Sequence, residues 1–323
     1  MTEEEPADEI EAPEERPVRC PRCGYDLRGE MATGEQSCPI EGVCTECGLE
    51  IAWRELLNPT HIKPRWCVEY AKSWWRVPGR AIRTLMATCW PWFFWRSLRM
   101  VHEIRWRRLR GYLLRWAFAL YVLFCVCHAT LAFAHWSNWM WRMPGRSVDP
   151  FNVLMTAVLP LSRTLLWGRL GDPSPREIFD RFWLPDLYML TYLVAMHVLC
   201  AAGFTVLPVS RRWAKVRWGH IIRVLLYGFG WFVPLIALGA LGTAPVELYD
   251  VPPLREFGRT LATLAVLAAW SHPAFLVVWW STATGRYLKM RHPWGVGLAV
   301  VVMAGLITLT VPVVYAVLTW PGP

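Results

Sequence analysis

Residues Gly295–Trp320 read GVGLAVVVMAGLITLTVPVVYAVLTW, a stretch without a single charged side chain. As an α-helix rising about 1.5 Å per residue, it is long enough to cross a hydrocarbon core about 30 Å thick. Trp294 and Trp320 bracket the stretch, and indole rings favour the interface between lipid and water. The stretch therefore predicts a membrane-spanning helix.

Four further apolar runs of similar length precede it, at 112–135, 186–209, 221–244 and 260–284. The 323-residue chain is 54% hydrophobic and 18% charged, whereas soluble domains are about 45–50% apolar and 25% charged. This composition argues against a wholly soluble protein. The sequence predicts an all-α polytopic membrane helix bundle of five spans, with the fifth near 295–320.

The segment 151–167 is a shorter apolar candidate that contains Pro160 and Arg163. If it crossed the membrane, the basic loops 210–220 and 285–293 would face outside, although Lys- and Arg-rich loops normally face the cytoplasm. We therefore expect an interfacial or re-entrant helix here. The resulting topology places the N-terminus in the cytoplasm and the C-terminus outside a cytoplasmic (inner) membrane.

Three segments precede the first span. Residues 1–17 are acidic and Pro-rich, which predicts a disordered tail, and 18–53 form a compact Cys-rich unit. Residues 54–111 interleave Arg with Trp and include the aromatic run Trp90–Trp95. They predict juxtamembrane or interfacial helices that contact the bilayer and its anionic headgroups. A nucleic-acid partner is the alternative for such a stretch, but its continuation into the first span favours lipid.

The Cys-rich unit contains two matching motifs, CPRCG at 20–24 and CTECG at 44–48. Two thiols separated by two residues can hold one metal ion from a tight turn, and the Gly that follows permits the positive φ that closes it. Two such knuckles supply the four thiolates of a structural zinc site. We therefore predict Zn²⁺, in preference to a redox CxxC pair, with Cys38 as a spare thiol and with the ligands Cys20, Cys23, Cys44 and Cys47.

The same unit resembles a zinc-ribbon module found at the start of bacterial membrane proteins of unknown function. The most specific part of the resemblance is CPRCGYDLRG at 20–29, whereas Thr45, where proline is common, and the extra Cys38 depart from it. The resemblance implies a structural zinc ribbon and a membrane tether, and it implies no reaction. In topology alone, the five spans are similar to Yip1-type membrane proteins, which implies membrane scaffolding.

Three histidines lie inside predicted spans: His128 in the first, His197 in the second and His272 in the fourth. Cys125 and Cys200 lie one helical turn from two of them, and imidazole with thiolate suits zinc, copper or haem iron. The alternative is that each His is hydrogen-bonded within the bundle. The spans show no mid-depth Asp or Glu and no internal repeat, which disfavours a small-solute transporter.

No P-loop, nucleophile elbow or zinc-protease motif is present, so the sequence favours a non-enzymatic role and predicts no catalytic residue. We expect a membrane-tethered interaction, scaffold or adaptor protein whose ribbon binds a cytosolic protein partner. Glycines of the third span also permit homo-oligomerisation. The alternative function is a membrane redox, metal- or haem-handling protein that uses His128, His197 and His272, and a small-solute transporter ranks third.

Overall fold

The structure is a computed structural model that describes residues 18–29, 40–58, 62–142, 184–206, 215–246 and 252–319. The predicted acidic tail, Cys38 and the segment 151–167 lie outside these residues, and so does the side chain of His128. The chain divides into two compact units, Met1–Ile62 and Lys63–Pro323.

The first unit contains a short antiparallel sheet. Strand β1 (Glu41–Val43) pairs with β2 (Glu50–Ala52), and the second Cys knuckle connects them. Helix α1 (Trp53–Leu57) follows β2 directly, and the Trp53 indole lies against Gly42, where it leaves no room for a Cβ atom. This unit, for which the sequence predicts a zinc ribbon and not part of the all-α bundle, therefore contains a two-stranded sheet, because the knuckle brings its two flanking segments side by side as strands.

The second unit begins with the collar, which we define as residues 63–105. It contains 3₁₀ turns at Val68–Tyr70 and Trp74–Arg76, helix α2 (Val77–Thr88) and helix α3 (Pro91–Ser97). Prolines occupy the first turns of α2 and α3, where a missing N–H group costs no helical hydrogen bond. The prolines thus mark the starts of two short helices in the collar.

Long apolar helices make up the rest of the second unit. They are α4 (Trp106–Arg142), α5 (Leu184–Val206), α6 (Trp218–Gly228), α7 (Phe232–Val246), α8 (Pro252–Thr282) and α9 (Pro293–Thr319). A 3₁₀ turn, Phe229–Trp231, joins α6 to α7, and a π-helical turn, Ala283–Tyr287, extends α8. The 3₁₀ turn has a physical cause, because Pro234 has no N–H group for the Gly230 carbonyl.

Four stretches of the described residues are long and apolar enough to cross a membrane: Trp106–Cys127, Trp218–Gly242, Arg255–Tyr287 and Pro293–Thr310. They correspond to the predicted first, third, fourth and fifth spans. The predicted second span, 186–209, coincides with α5, but the apolar stretch described there, Leu190–Phe204, is shorter. Four candidate spans are therefore found, and the predicted number of five is not confirmed.

The helices pack around a core formed by Leu193, Phe232, Leu235 and Ala269. Helix α7 packs against α8, α8 against α9, and α9 against α5, while α4 packs against α7. Many outward side chains of α4, α8 and α9 are large, apolar and exposed, as lipid contact requires.

Candidate metal centre

The four predicted cysteine ligands converge on one site. Their Sγ atoms all lie within 4.8 Å of one another, with Cys20–Cys47 and Cys23–Cys44 separations of 3.7 Å. A tetrahedral zinc ion with Zn–S bonds of about 2.3 Å requires S···S distances of about 3.8 Å, whereas a disulfide bond is about 2.05 Å long. The four cysteines are free thiols that can together bind a metal ion.

Both knuckles have the same backbone hydrogen bonds. In each, the glycine N–H donates to the carbonyl of the first Cys at 2.8 Å. The N–H of that Cys donates to the carbonyl five residues later, at 2.7 Å in the first knuckle and 2.9 Å in the second. Gly24 and Gly48 have φ values of 84° and 65°, the left-handed conformation that the predicted turns require.

The thiols differ in their electrostatic surroundings. Burial raises the pKa of Cys20 to about 11 and also raises the pKa of Cys47. Burial acts in the same direction on Cys44, but hydrogen bonds from the backbone N–H groups of Cys47 and Glu46, together with those from the Cys20 and Cys23 thiols, outweigh it and lower the pKa of Cys44. Metal binding at this site must therefore displace protons from the buried thiols.

Few side chains other than the cysteines are buried in the described part of the first unit. Leu27, Leu49, Ile51 and Trp53 are buried, and Arg22 extends between the knuckles to donate to the Cys47 carbonyl at 3.4 Å. So small an apolar core provides little folding free energy by itself. A metal ion bound by the four thiols would supply much of the stability of this unit.

The structure brings together two of the three predicted intramembrane histidines. The rings of His197 on α5 and His272 on α8 are both buried, with centroids 6.3 Å apart. The Nε2 atom of His197 contacts the Leu225 carbonyl at 3.0 Å. Among the described residues, Nδ1 of His197 and both nitrogens of His272 have no hydrogen bond, although His272 lies close to the Leu193 backbone.

The surroundings of these two rings are aromatic. Phe229 and Phe232 contact His197, and Phe232 and Phe275 contact His272. No Cys, Asp or Glu within the described ranges joins the two histidines in a group of three ligands. The pair therefore offers two nitrogen ligands, fewer than a closed zinc site contains.

The second unit contains a buried ion pair that is not predicted from the sequence. Glu69 of the collar and Arg223 of α6 have fully buried side chains. Their contact is bidentate, with Nε–Oε1 and Nη2–Oε2 distances of 2.9 Å. The Tyr227 hydroxyl donates to Oε1 at 2.6 Å, and the Arg105 backbone N–H donates to Oε2 at 3.2 Å. Both oxygens of the carboxylate are therefore satisfied.

The Arg223 guanidinium has further acceptors. It donates to the Tyr70 hydroxyl at 2.5 Å, to the Tyr287 hydroxyl at 3.1 Å and to the His102 carbonyl at 3.3 Å. The Tyr287 hydroxyl also contacts Nδ1 of His220 at 2.7 Å. We define the buried polar cluster as Glu69, Tyr70, His102, His220, Arg223, Tyr227 and Tyr287. It joins the collar, α6 and the π-helical turn after α8, and it holds them together.

One sequence signal could have revealed half of this cluster. Arg223 lies inside the third apolar run, and an ionisable residue there calls for a partner. No local pattern identifies Glu69 as that partner, since the two residues are 154 positions apart. The buried pair is therefore visible only in the folded chain.

The aromatic residues of the run Trp90–Trp95 in the collar differ in burial. Phe94 and Trp95 are fully buried, and both contact the Trp279 ring of α8. Trp90, Trp92 and Phe93 are exposed. The prediction that this run lies against lipid can thus apply only to its exposed half.

Comparison of the chain with protein-family models, curated proteins and solved structures found no match. The resemblance to bacterial zinc-ribbon membrane proteins and the topological similarity to Yip1-type proteins stay predictions.

Proposed function

We propose that this is an integral membrane protein whose N-terminal unit binds one structural Zn²⁺ and docks a cytosolic protein partner. The observation that carries the proposal is the closed set of four thiols at tetrahedral spacing. Four thiolates leave no coordination position for a substrate or a reactive water, so the ion would serve structure rather than catalysis.

The surface of the first unit supports a role in protein binding. Tyr25, Ile40 and Val43 are large apolar side chains that are exposed, and Tyr25 and Val43 directly adjoin the two knuckles. Apolar groups held on rigid turns lose little conformational entropy on binding. An exposed Asp26–Arg28 ion pair at 2.6 Å provides a polar contact next to Tyr25.

The second unit supports a role as membrane anchor. Its four candidate spans have the length and apolar character that a bilayer requires. The loop between α8 and α9 carries Arg286, Lys289 and Arg291 and no acid. We infer from this basic loop that the collar end of the bundle and the zinc unit face the cytoplasm of an inner membrane.

The docking proposal is tested by a photo-crosslinking amino acid at position 25 or 43 of the full-length chain in cells. We expect both positions to form an adduct with one protein, and the adduct to be lost when Cys44→Ser removes the metal. The same probe at Phe118, an exposed position of α4, should crosslink to lipid instead. Absence of a protein adduct at both positions in the zinc-loaded chain would contradict the proposal.

A second candidate function, a bound metal ion or haem inside the bundle, is favoured by one observation. The buried rings of His197 and His272 have centroids 6.3 Å apart, and Nδ1 of His197 forms no hydrogen bond among the described residues. A haem absorption band, or metal beyond one zinc per chain, lost in His197→Gln and in His272→Gln would support this function. One zinc and no such band in the purified chain would leave both histidines structural.

A further inference from the structure

An open apolar groove of about 580 Å³ lies on the outer side of α2 and α3. It is lined by Trp66, Ile82, Met86, Trp90 and Phe93, together with Arg83. More than half of the surface of Ile82, Met86, Trp90 and Phe93 is exposed. In a chain with membrane-spanning helices, exposed apolar side chains of this kind suit contact with lipid hydrocarbon.

The position of the groove indicates hydrocarbon depth. Thr88, at the end of α2, lies so close to Gly230 that a Cβ atom there would be 2.7 Å from its Oγ1. Gly230 is twelve residues beyond Trp218, or about 18 Å along the helix. Exposed Trp218 and Trp294 begin α6 and α9, and tryptophans at helix ends mark the lipid–water interface.

Both of these helices begin at the same end of the bundle. His220 on α6 contacts Tyr287, which lies a few residues before the start of α9. The end of α2 therefore lies on the lipid side of this interface, and the groove beside it opens toward acyl chains.

The positive charge next to the groove indicates which polar group an apolar occupant would carry. Arg83 lines the groove and precedes Met86 and Ala87 by one helical turn. Arg80 lies three residues before Arg83 on α2, where its guanidinium donates to the Tyr70 carbonyl at 2.6 Å, and Arg76 directly precedes the helix. Across α3, the Arg286 guanidinium stacks on Trp92 at 4.0 Å from the ring centroid. An apolar groove with the cationic Arg83 in its lining matches a lipid chain with a negatively charged headgroup.

We propose that this groove binds an anionic phospholipid, with one acyl chain along Ile82, Met86 and Phe93 and the phosphate at Arg83. The site uses residues of the second unit alone. It is therefore independent of zinc and of a docked protein.

The test uses the delipidated full-length chain in detergent and phosphatidylglycerol that carries a photoreactive acyl chain. We expect saturable crosslinks within residues 82–93, displaced by unlabelled phosphatidylglycerol at lower concentration than by phosphatidylcholine. Arg83→Gln should weaken phosphatidylglycerol binding about fivefold, the equivalent of about 1 kcal/mol for one cation near an anionic headgroup. The control Arg217→Gln removes an exposed arginine that does not line the groove and should leave binding unchanged.

A second variant tests the chain-binding part of the groove. Met86→Gln keeps every charge and is expected to lower the crosslinking yield for both lipids. Equal competition by phosphatidylcholine, equal losses in Arg83→Gln and Arg217→Gln, or crosslinks spread evenly over α4, α8 and α9 would each overturn the proposal. These outcomes would mean that lipid contacts the bundle without a specific site.

Discussion

Replacing one thiol at a time distinguishes the metal ligands from the other cysteines. Cys44→Ser is expected to reduce zinc from one ion per chain to a small fraction of that, because three thiolates leave the tetrahedral set incomplete. Cys38→Ser is the matched control and should retain the full amount, since Cys38 is predicted to be a spare thiol. Elemental analysis of the purified chains measures both, and loss of zinc from Cys38→Ser would contradict this ligand assignment.

The Glu69–Arg223 pair makes a second prediction for single residues. Glu69→Gln leaves the buried Arg223 charge without its counter-charge, which costs about 3–5 kcal/mol. For a unit of this size, the loss lowers the unfolding midpoint by roughly 10 °C. Thermal unfolding in detergent measures the change, and the double variant Glu69→Gln/Arg223→Gln should lose less than the two single losses added together.

An exposed ion pair provides the control for this experiment. Glu256 and Arg259 form a contact of 2.8 Å on the surface of α8, with both side chains more than half exposed. Glu256→Gln should change stability by less than about 1 kcal/mol. Equal effects of Glu69→Gln and Glu256→Gln would show that the buried polar cluster does not hold the collar.

Cys67 gives a pH-dependent prediction. Burial raises the pKa of its thiol from 9.0 to about 12, and the Glu69 carboxylate adds to the shift. Between these values the unfolded chain loses the proton while the folded chain keeps it, so the stability that Cys67 contributes falls as the pH rises. The difference in unfolding midpoint between the wild type and Cys67→Ala should therefore be smaller at pH 10.5 than at pH 7.5. A difference that is constant with pH would contradict the buried, protonated thiol.

Residues whose role depends on neighbours in sequence could be predicted from the sequence. The two knuckles are such a case, since the spacing of their thiols and the glycine after each pair determine the turn geometry locally. The buried polar cluster is the opposite case. Its charges belong to segments that meet only after folding, and the sequence offers Arg223 inside an apolar run as the one clue.

At the scale of helices, the close contact between α7 and α8 leads to a testable prediction about the glycines of α7. A Cβ atom on Gly242 would lie 2.5 Å from the backbone nitrogen of Ala262, whereas one on Gly239 would have no atom within 4 Å. Gly242→Ala must therefore push α7 away from α8, at a cost of about 1–3 kcal/mol. Gly239→Ala, on the same helix, should be neutral or slightly stabilising. Unfolding midpoints compare the two, and equal values would contradict the tight α7–α8 crossing.

The length of the apolar runs was enough to predict the long helices, because a long uncharged run can cross a bilayer in few conformations. It was harder to predict from the sequence which side of a short helix is buried. The run Trp90–Trp95 contains aromatic residues on every side of α3, so its sequence cannot show that Phe94 and Trp95 pack against Trp279 while Phe93 remains exposed. Tertiary contacts alone decide which of these rings are buried.

For the whole molecule, the division into two compact units predicts separate responses to metal removal. A zinc chelator should make Arg22, now buried, accessible to trypsin while the helical circular-dichroism signal is retained. Added zinc should restore protection. Loss of the helical signal together with the metal would show that the bundle depends on the zinc unit.

Composition and the two cysteine motifs were sufficient to predict a small metal unit ahead of a helical membrane unit. They did not predict that the collar docks onto the helices, because docking depends on complementary shape and charge across more than a hundred residues. Tyr70, Tyr227 and Tyr287 illustrate the limit. Each is an ordinary aromatic residue in its own segment. In the folded chain Tyr70 and Tyr287 accept hydrogen bonds from the Arg223 guanidinium, and Tyr227 donates to the Glu69 carboxylate paired with it.

Because Glu69 and Arg223 are far apart along the chain, the ribosome synthesises Glu69 well before Arg223. A ribosome that adds about 5–20 residues per second needs about 8–30 s to proceed from one to the other. Throughout that interval the carboxylate has no guanidinium, and Phe94 and Trp95 have no α8 to cover them. A nascent chain that stalls before Arg223 leaves this carboxylate and these aromatic rings without their partners, so the collar can complete its packing only after the later helices have been synthesised.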